Sequence, residues 1–520
     1  VNTTRVLGAE ALARANEPRD DLIAEAADGP GRFVLAQGPL RDYERTLTVT
    51  PLTDGRSSVT QHISYRIAAP GWQWLYAWPV RRSMRRLPAP ARAPWWAPPS
   101  RVDADVSISL AALCTLSVVV GYLGTVISQT LTFAADEFDR GKTAQSATLA
   151  AVRIGVFLSV LVTGMADRRG RKPLLVWGTV AACIATAAGA LAPEMITLGI
   201  TQTIARGLAT GLGVLLVVLV AEELPAGSRA YGISVLALSA ALGSGMVVWV
   251  LPVADLNVHA WRLVYALPLL AIPLVLIAGR HLRESRRYLD AASSEHHGEV
   301  RPTPDANGRR RLVLLGVSSF LLLAFRAPAS QLQNEFLRSE RGYSAAGITV
   351  FTLCTSTPAG VGVFLGGRLA DTHGRRSVGA FGLLGGATAI VATFMTHGVA
   401  LWIWAVIGSV VGGLTISSLG VYGPELFGTA DRGRANGHIT VLGVCGSSLG
   451  LLAAGVIGDR WSLGLAMAVL AVGPVIVAFL VITRYPETAG LELELINPQD
   501  ATLGHGPGAP SDPTQAGSVT

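Results

Sequence analysis

Charge is scarce in this chain. Asp, Glu, Lys and Arg make up 15% of its 520 residues, against about 25% in a soluble domain. Cysteine is scarce as well. Cys114, Cys183, Cys354 and Cys445 all lie within apolar runs, with neither the paired spacing of a metal site nor a disulfide framework. No Walker-type phosphate loop occurs, so work driven by ATP is not expected. Residues 1–60 are polar and lack the apolar core of a cleavable signal peptide. No metal or cofactor is expected, with proton coupling left open.

Apolar residues and glycine are abundant. Hydrophobic residues make up 50% of the chain, glycine occurs 58 times, and mean hydropathy is +0.45. The net charge of +7 does not point to nucleic acid, because the arginines sit in loops between apolar runs. From residue 106 the pattern gives twelve spans of about 20 residues, the length a ~30 Å hydrocarbon core requires. Six lie in 106–280 and six in 312–484, divided by a polar connector at 281–311. The expected fold is an all-α membrane protein with two pseudo-symmetric six-helix lobes and a small α+β segment ahead of them. Loops after even-numbered spans are rich in arginine, which puts them and both termini in the cytoplasm of a plasma-membrane protein.

Residues 1–87 differ from the rest. Arg45-Thr46-Leu47-Thr48-Val49-Thr50 and Ser58-Val59-Thr60-Gln61-His62-Ile63-Ser64-Tyr65 alternate like strands around Asp54-Gly55, a hairpin signal. Residues 72–87 then read as a helix that sets Trp72, Trp74, Leu75 and Trp78 against Arg81, Arg82, Arg85 and Arg86. This strand–strand–helix order resembles the C-terminal half of the helix-grip (START-like, polyketide cyclase) fold, whose open sheet edge would be unstable alone. Residues 88–105 form a Pro/Trp linker, with tryptophans suited to the headgroup layer. Residues 485–520 read as a cytoplasmic tail, disordered beyond Asn497.

A charged pattern occurs twice. Asp167-Arg168-Arg169-Gly170-Arg171-Lys172 is followed, at an offset of 204 (371 − 167), by Asp371-Thr372-His373-Gly374-Arg375-Arg376. Glu222 and Arg229 recur as Glu425 and Arg432, and Glu284, followed by Arg287, recurs as Glu487. A duplicated helical array with matching charged loops is the plan of a two-lobed transporter. On these residues the chain resembles the major facilitator superfamily, in its sugar-porter-like and metabolite-porter branch, over 106–497. The family loop begins with glycine. Here that position is Thr163 in the first copy and Gly367 in the second. The resemblance implies that these aspartates, glutamates and arginines, with Gly170 and Gly374 at the turns, latch the lobes on the cytoplasmic side.

Charges inside the spans bear on substrate. Arg153, Arg206 and Arg326 lie well within spans 2, 4 and 7. Each costs about 2.5–3.5 kcal/mol on the insertion scale, so each should face a lobe interior or a wet cavity. Arg206 heads a glycine-rich stretch similar to the family's fourth span, where the arginine is structural or binds substrate. Arg326 precedes Pro328, Gln331, Gln333, Asn334 and Glu335 on a span expected to break, and by the repeat offset it matches Tyr122. The resemblance places the first helix of each half along the cavity, so Tyr122, Arg153, Arg326, Gln331, Gln333 and Asn334 are the candidate substrate residues. Arg206 and Glu335 are structural or substrate residues. Span 5 lacks glutamine and span 10 lacks tryptophan, both of which the family's sugar binders carry. The expected activity is therefore transport of a small organic solute, an organic anion or carboxylate, by a monomeric protein with no catalytic residues. A sugar or polyol porter and a transporter-like receptor using the N-terminal segment are the alternatives.

Overall fold

The computed structural model describes residues 1–52, 56–88, 93–139, 148, 151–250, 253, 256–284, 306–333, 336–343, 345–428 and 431–497. The chain opens with a five-stranded antiparallel sheet. Its elements are β1 (Asn2–Leu7), α1 (Ala9–Ala15), β2 (Ala24–Ala27), β3 (Arg32–Gln37), β4 (Leu40–Pro51), β5 (Ser57–Ile67) and α2 (Gln73–Met84). The strand order is β1-β5-β4-β3-β2. The expected hairpin is present, with Thr46 opposite His62 and Thr48 opposite Thr60. The unit is larger than the half-fold expected from sequence. β1 pairs along β5 from Asn2–His62 to Leu7–Ser57, covering the edge that the hairpin alone would leave open. β1, β2 and β3 run four to six residues, too short for alternation to stand out.

Leu40, Tyr43 and Ile63 of the sheet meet Val80 and Met84 of α2 in an apolar core. A buried polar cluster ties the central strand β4 to the edge strand β2 and to the end of α1. The Arg45 guanidinium donates to Glu25 at 2.6 Å and to the Ala15 and Glu17 carbonyls at 2.8 Å, and the Tyr43 hydroxyl also donates to Glu25.

The membrane part has two lobes. The first holds α3 (Ala104–Glu137), α4 (Val156–Arg169), α5 (Arg171–Ala188), α6 (Met195–Glu223), α7 (Arg229–Val250), α8 (Trp261–Ala266) and α9 (Pro268–His281). The second holds α10 (Ala306–Gln331), α11 (Ala345–Ser356), α12 (Ala359–His373), α13 (Arg375–Met395), α14 (Gly398–Gly420), α15 (Tyr422–Glu425), α16 (Arg432–Arg460), α17 (Leu463–Leu470) and α18 (Val472–Arg484). A short α19 (Leu493–Ile496) follows. Among the described residues, 11 helices are long and apolar enough to cross a membrane, and the second span is represented by a shorter apolar helix, Ala151–Ala166. Most of the connector and the tail beyond Asn497 fall outside the described residues.

Matching spans break at matching places. Between Ala151 and Leu158 the hydrogen bonds tighten to three-residue spacing, with Ile154 N to Ala151 O at 2.9 Å and Leu158 N to Gly155 O at 2.9 Å. In the second lobe Gly360 N to Thr357 O and Val361 N to Pro358 O repeat this pattern. Such short 3₁₀ turns mark hinges or strained sequence. The seventh span's regular helix runs to Gln331 and a π turn follows at Phe336–Glu340, with Leu332 N still bonded to Pro328 O at 2.8 Å and Phe336 N to Leu332 O at 2.9 Å; residues 334 and 335, within the stretch expected to break, lie outside the described residues.

Candidate functional site

The charged repeats meet on one end of the molecule, hereafter the basic face. Gly170 and Gly374 turn the chain between helices with φ of 94° and 92°, values open to glycine. Each turn is closed by a carboxylate. Glu284 accepts from Arg171 N and Lys172 N at 3.1 Å, and Glu487 accepts from Arg375 N at 3.0 Å and Arg376 N at 3.2 Å. These carboxylates therefore sit on the free amides that start α5 and α13, where the helix dipole favours negative charge. A Cβ on Gly170 would fall 2.8 Å from Glu284 Oε2, and one on Gly374 would fall 3.0 Å from Glu487 Oε2. Glycine is required by φ, and a side chain there would also push the closing acid aside.

Deeper in, two buried carboxylates each hold two guanidiniums. Glu222 pairs with Arg171 of its own lobe and with Arg432 of the other. Glu425 pairs with Arg375 of its own lobe and, at 3.2 Å, with Arg229 of the other. All of these side chains are fully buried. Asp371 adds a third crossing. It bonds Arg375 at 3.2 Å and accepts from the backbone of Tyr231 at 3.0 Å, at the start of α7 in the opposite lobe. The side chains of Asp167 and Arg168, and the whole of Arg287, fall outside the described residues. Sequence reading stopped the network at Glu487, but the chain beyond it joins in. Glu492 bonds Arg229 at 3.2 Å, and Asn497 donates to the Glu425 carbonyl at 2.7 Å. A short polar segment after the last span carries no pattern that would have pointed to these contacts.

The linker ahead of the first span also joins both lobes. Arg368 of α12 donates to the Pro94 and Ala97 carbonyls at 3.2 and 2.6 Å. From the other lobe, the Tyr231 hydroxyl donates to the Trp96 carbonyl at 2.9 Å, and Ser228 Oγ accepts from Ser100 N at 2.9 Å. Trp95 packs edge-on against Phe364. These contacts were not foreseen, because a Pro/Trp linker shows nothing in sequence of what it will touch.

Within the membrane, the sequence-predicted residues separate into groups. Arg153, next to the break in the second span, donates at 2.8 Å to the Oε1 of Gln331, the last residue of α10. This contact crosses between lobes. Arg206 lies within electrostatic range of Arg153 and donates to the Gly124 carbonyl at 2.9 Å, a structural tie between α6 and α3. Arg326 and Gln333 line a cavity of about 290 Å³ in the second lobe, together with Ser330, Thr355 and Thr415. Among the described residues, no carboxylate forms an ion pair with Arg153, Arg206 or Arg326. Tyr122 is not part of this group. It is buried, and its hydroxyl donates to the Val264 carbonyl at 2.8 Å inside the first lobe. A phenol in an apolar core needs an acceptor, and the start of the sixth span supplies one. The repeat that equates Tyr122 with Arg326 therefore fails in role at this pair. Asn334 and Glu335 lie outside the described residues.

Two family descriptions divide the chain between them. "Sugar (and other) transporter" matches residues 114–301, and "Major Facilitator Superfamily" matches residues 314–497. The chain belongs to the major facilitator superfamily. The cis,cis-muconate transport protein of Acinetobacter baylyi is 24% identical over 352 residues, covering 62% of this chain and 82% of that protein. Among solved structures, a proton:xylose symporter bound to 6-bromo-6-deoxy-D-glucose aligns with a TM-score of 0.66 at 17% identity, over 76% of this chain and 98% of that one. A human organic anion transporter aligns at 0.59 and 14% identity, over 72% and 99%. As a superfamily member, the chain is a multi-pass membrane transporter of a small solute.

Proposed function

We propose that this protein is a secondary transporter of a small organic anion, a carboxylate, working by alternating access in the plasma membrane with its basic face and termini in the cytoplasm. The observation that carries the anion reading is the Arg153–Gln331 contact across the lobes, beside Arg206 and with Arg326 in the adjoining lobe. Guanidinium is a planar fork of donors that matches a carboxylate in geometry and charge. Such cations inside a membrane, with no acid paired to them among the described residues, are costly unless an anion visits them. The likeness to a muconate transport protein, whose named solute is a dicarboxylate, supports the same class.

The second part of the reading concerns motion. The pairs Arg432–Glu222 and Arg229–Glu425 hold the lobes together on the basic face. Breaking them would open that face to the cytoplasm, and re-forming them would return the site to the other side. A sugar porter is the second reading, favoured by the likeness in fold to a xylose symporter.

Uptake into proteoliposomes separates the two. Radiolabelled cis,cis-muconate, succinate and xylose are compared with and without an imposed proton gradient. The anion reading expects saturable dicarboxylate uptake that falls in Arg153→Gln and Arg326→Gln but not in the exposed-site control Arg309→Gln. Saturable xylose uptake indifferent to Arg153 and Arg326 would overturn it.

A further inference from the structure

Between the sheet domain and the flank of the two lobes lies a cavity of about 1090 Å³ that solute transport leaves unused. Three sources build its walls. The sheet domain contributes α2 with Trp72 and Trp78, the linker contributes Trp95, and the lobes contribute Cys114 of α3, Leu242 of α7 and Phe364 of α12. Among the described lining residues there is no carboxylate.

The depth of this cavity sets its ligand class. Cys114 stands nine residues (114 − 105) beyond Asp105, which is held at the basic face by Arg41 and Arg283, or about 14 Å along a helix. Leu242 stands thirteen residues (242 − 229) beyond Arg229, or about 20 Å. One leaflet of hydrocarbon is about 15 Å thick, half of the ~30 Å core. The cavity therefore follows one leaflet from its headgroups inward. The N-terminal end of α2 reaches the same depth, since Trp72 Nε1 donates to Thr115 Oγ1 at 3.0 Å.

The rim of the cavity is cationic. Arg82 of α2 and Arg86 just past its end line it, with Arg81 of the same helix and its C-cap Arg85 nearby, all four exposed. The Arg82 guanidinium stands 5.3 Å from the centre of the Trp78 ring. Trp78 is 67% exposed beside these arginines, as an aromatic belt at a headgroup layer requires. An apolar slot as deep as a leaflet with guanidiniums at its mouth has the charge and shape of an anionic lipid.

We propose that this cavity binds one anionic phospholipid, with an acyl chain between α2, α3, α7 and α12 and its phosphate on Arg82 and Arg86. The chain would touch the sheet domain and both lobes at once, through Trp72, Leu242 and Phe364. This does not depend on which solute the protein carries.

The test is native mass spectrometry of the full chain in neutral detergent, titrated with dioleoyl phosphatidylglycerol or dioleoyl phosphatidylcholine. The expected result is one retained phosphatidylglycerol, favoured over phosphatidylcholine by about tenfold or more. The double variant Arg82→Gln, Arg86→Gln should lose that preference, and Leu242→Trp should lose retention of both lipids by filling the slot. Glycerol phosphate, a headgroup without a chain, should not compete. Equal retention of the two lipids by the unaltered protein overturns the proposal. So does phosphatidylglycerol binding unchanged in the arginine double variant and in Leu242→Trp, or displacement by glycerol phosphate. The arginines are exposed, so their replacement leaves the core of the domain intact, and its thermal unfolding serves as the check.

Discussion

Gly437 of α16 lies against Thr163 of α4, where a Cβ on the glycine would fall 2.5 Å from the threonine Oγ1. The equivalent contact on the other side of the pseudo-twofold is Gly367 of α12 against Ser234 of α7, with a Cβ at 2.5 Å from Ser234 Oγ and 2.7 Å from the Ala230 carbonyl. Each crossing between lobes thus has one glycine and one hydroxyl residue, on opposite partners. The glycine that the family loop places at position 163 is found here across the interface, at 437. What the closed basic face requires is one small residue per contact, whichever lobe provides it.

Gly437→Ala should therefore disfavour the closed basic face by about 1–3 kcal/mol, the usual cost of overpacking, and solute uptake should fall. Thr163→Gly combined with Gly437→Ala moves the glycine back and should recover most of the lost uptake. Uptake by the double variant no better than by Gly437→Ala would show that the contact does not limit closure.

Glu425→Gln removes the carboxylate shared by Arg229 and Arg375 and leaves both cations buried. Breaking a buried pair in this way costs about 3–5 kcal/mol, taken from the closed arrangement. In a background without native cysteines, a cysteine at Ser234 should then label faster with a charged thiol reagent added from the basic side. Labelling at the parent rate would remove this pair from the latch.

The opposite end of the first lobe has an acid-sensitive tie. Glu137 bonds Arg262 at 2.6 Å, His259 at 3.0 Å and the Trp261 ring nitrogen at 2.6 Å. Desolvation pushes its pKa up, but hydrogen bonds from Arg262, Trp261 and His259 outweigh that and hold the carboxyl below its ordinary range. A depressed carboxyl stabilises the fold above the unfolded value, about 4.3, and that contribution fades as pH falls through the folded value. The melting temperature of the parent should drop more steeply than that of Glu137→Gln as pH is lowered from 5 to about 3. Parallel curves would assign the acid response elsewhere.

In the sheet domain, Arg45→Met takes the guanidinium from the buried Glu25, which keeps the Arg19 backbone amide and the hydroxyl of Tyr43, whose own pKa is raised by burial first and by Glu25 next. A loss of about 3–5 kcal/mol is expected. Hydrogen exchange should speed up across β2 to β5 while the membrane helices keep their protection. Unchanged exchange in β3 and β4 would mean that the apolar core of Leu40, Ile63 and Met84 suffices.

Much of this architecture was legible because membranes impose crude rules. Span length, arginine placement and a repeat of about 204 residues report on hydrocarbon thickness and loop position, and these survive without knowledge of packing. The offset equated Glu222 with Glu425 and Arg229 with Arg432, but did not say which acid would meet which arginine across the lobes. The same offset matched Tyr122 to Arg326, but a repeat transmits backbone position and not what a side chain touches. Arg206 and Tyr122 both use backbone carbonyls of neighbouring helices, partners that no side-chain pattern encodes. The sheet was read only in part, because strands as short as Ala24–Ala27 hold too few residues to show a period. Arg368, Tyr231 and the linker escaped altogether, because the acceptors are the main chain of Pro94, Trp96 and Ala97.

That linker has a mechanical consequence. The Pro94 and Ala97 carbonyls are gripped by Arg368 from one lobe, and the Trp96 carbonyl and Ser100 amide by Tyr231 and Ser228 from the other. A hydrogen bond tolerates only a few tenths of an ångström of stretch before it weakens. If α7 and α12 separate on the basic face by more than that, residues 94–100 must let go of one side. The lobe that keeps its hold then carries the sheet domain with it, so each opening stroke is also a displacement of a folded body packed on the flank of the lobes.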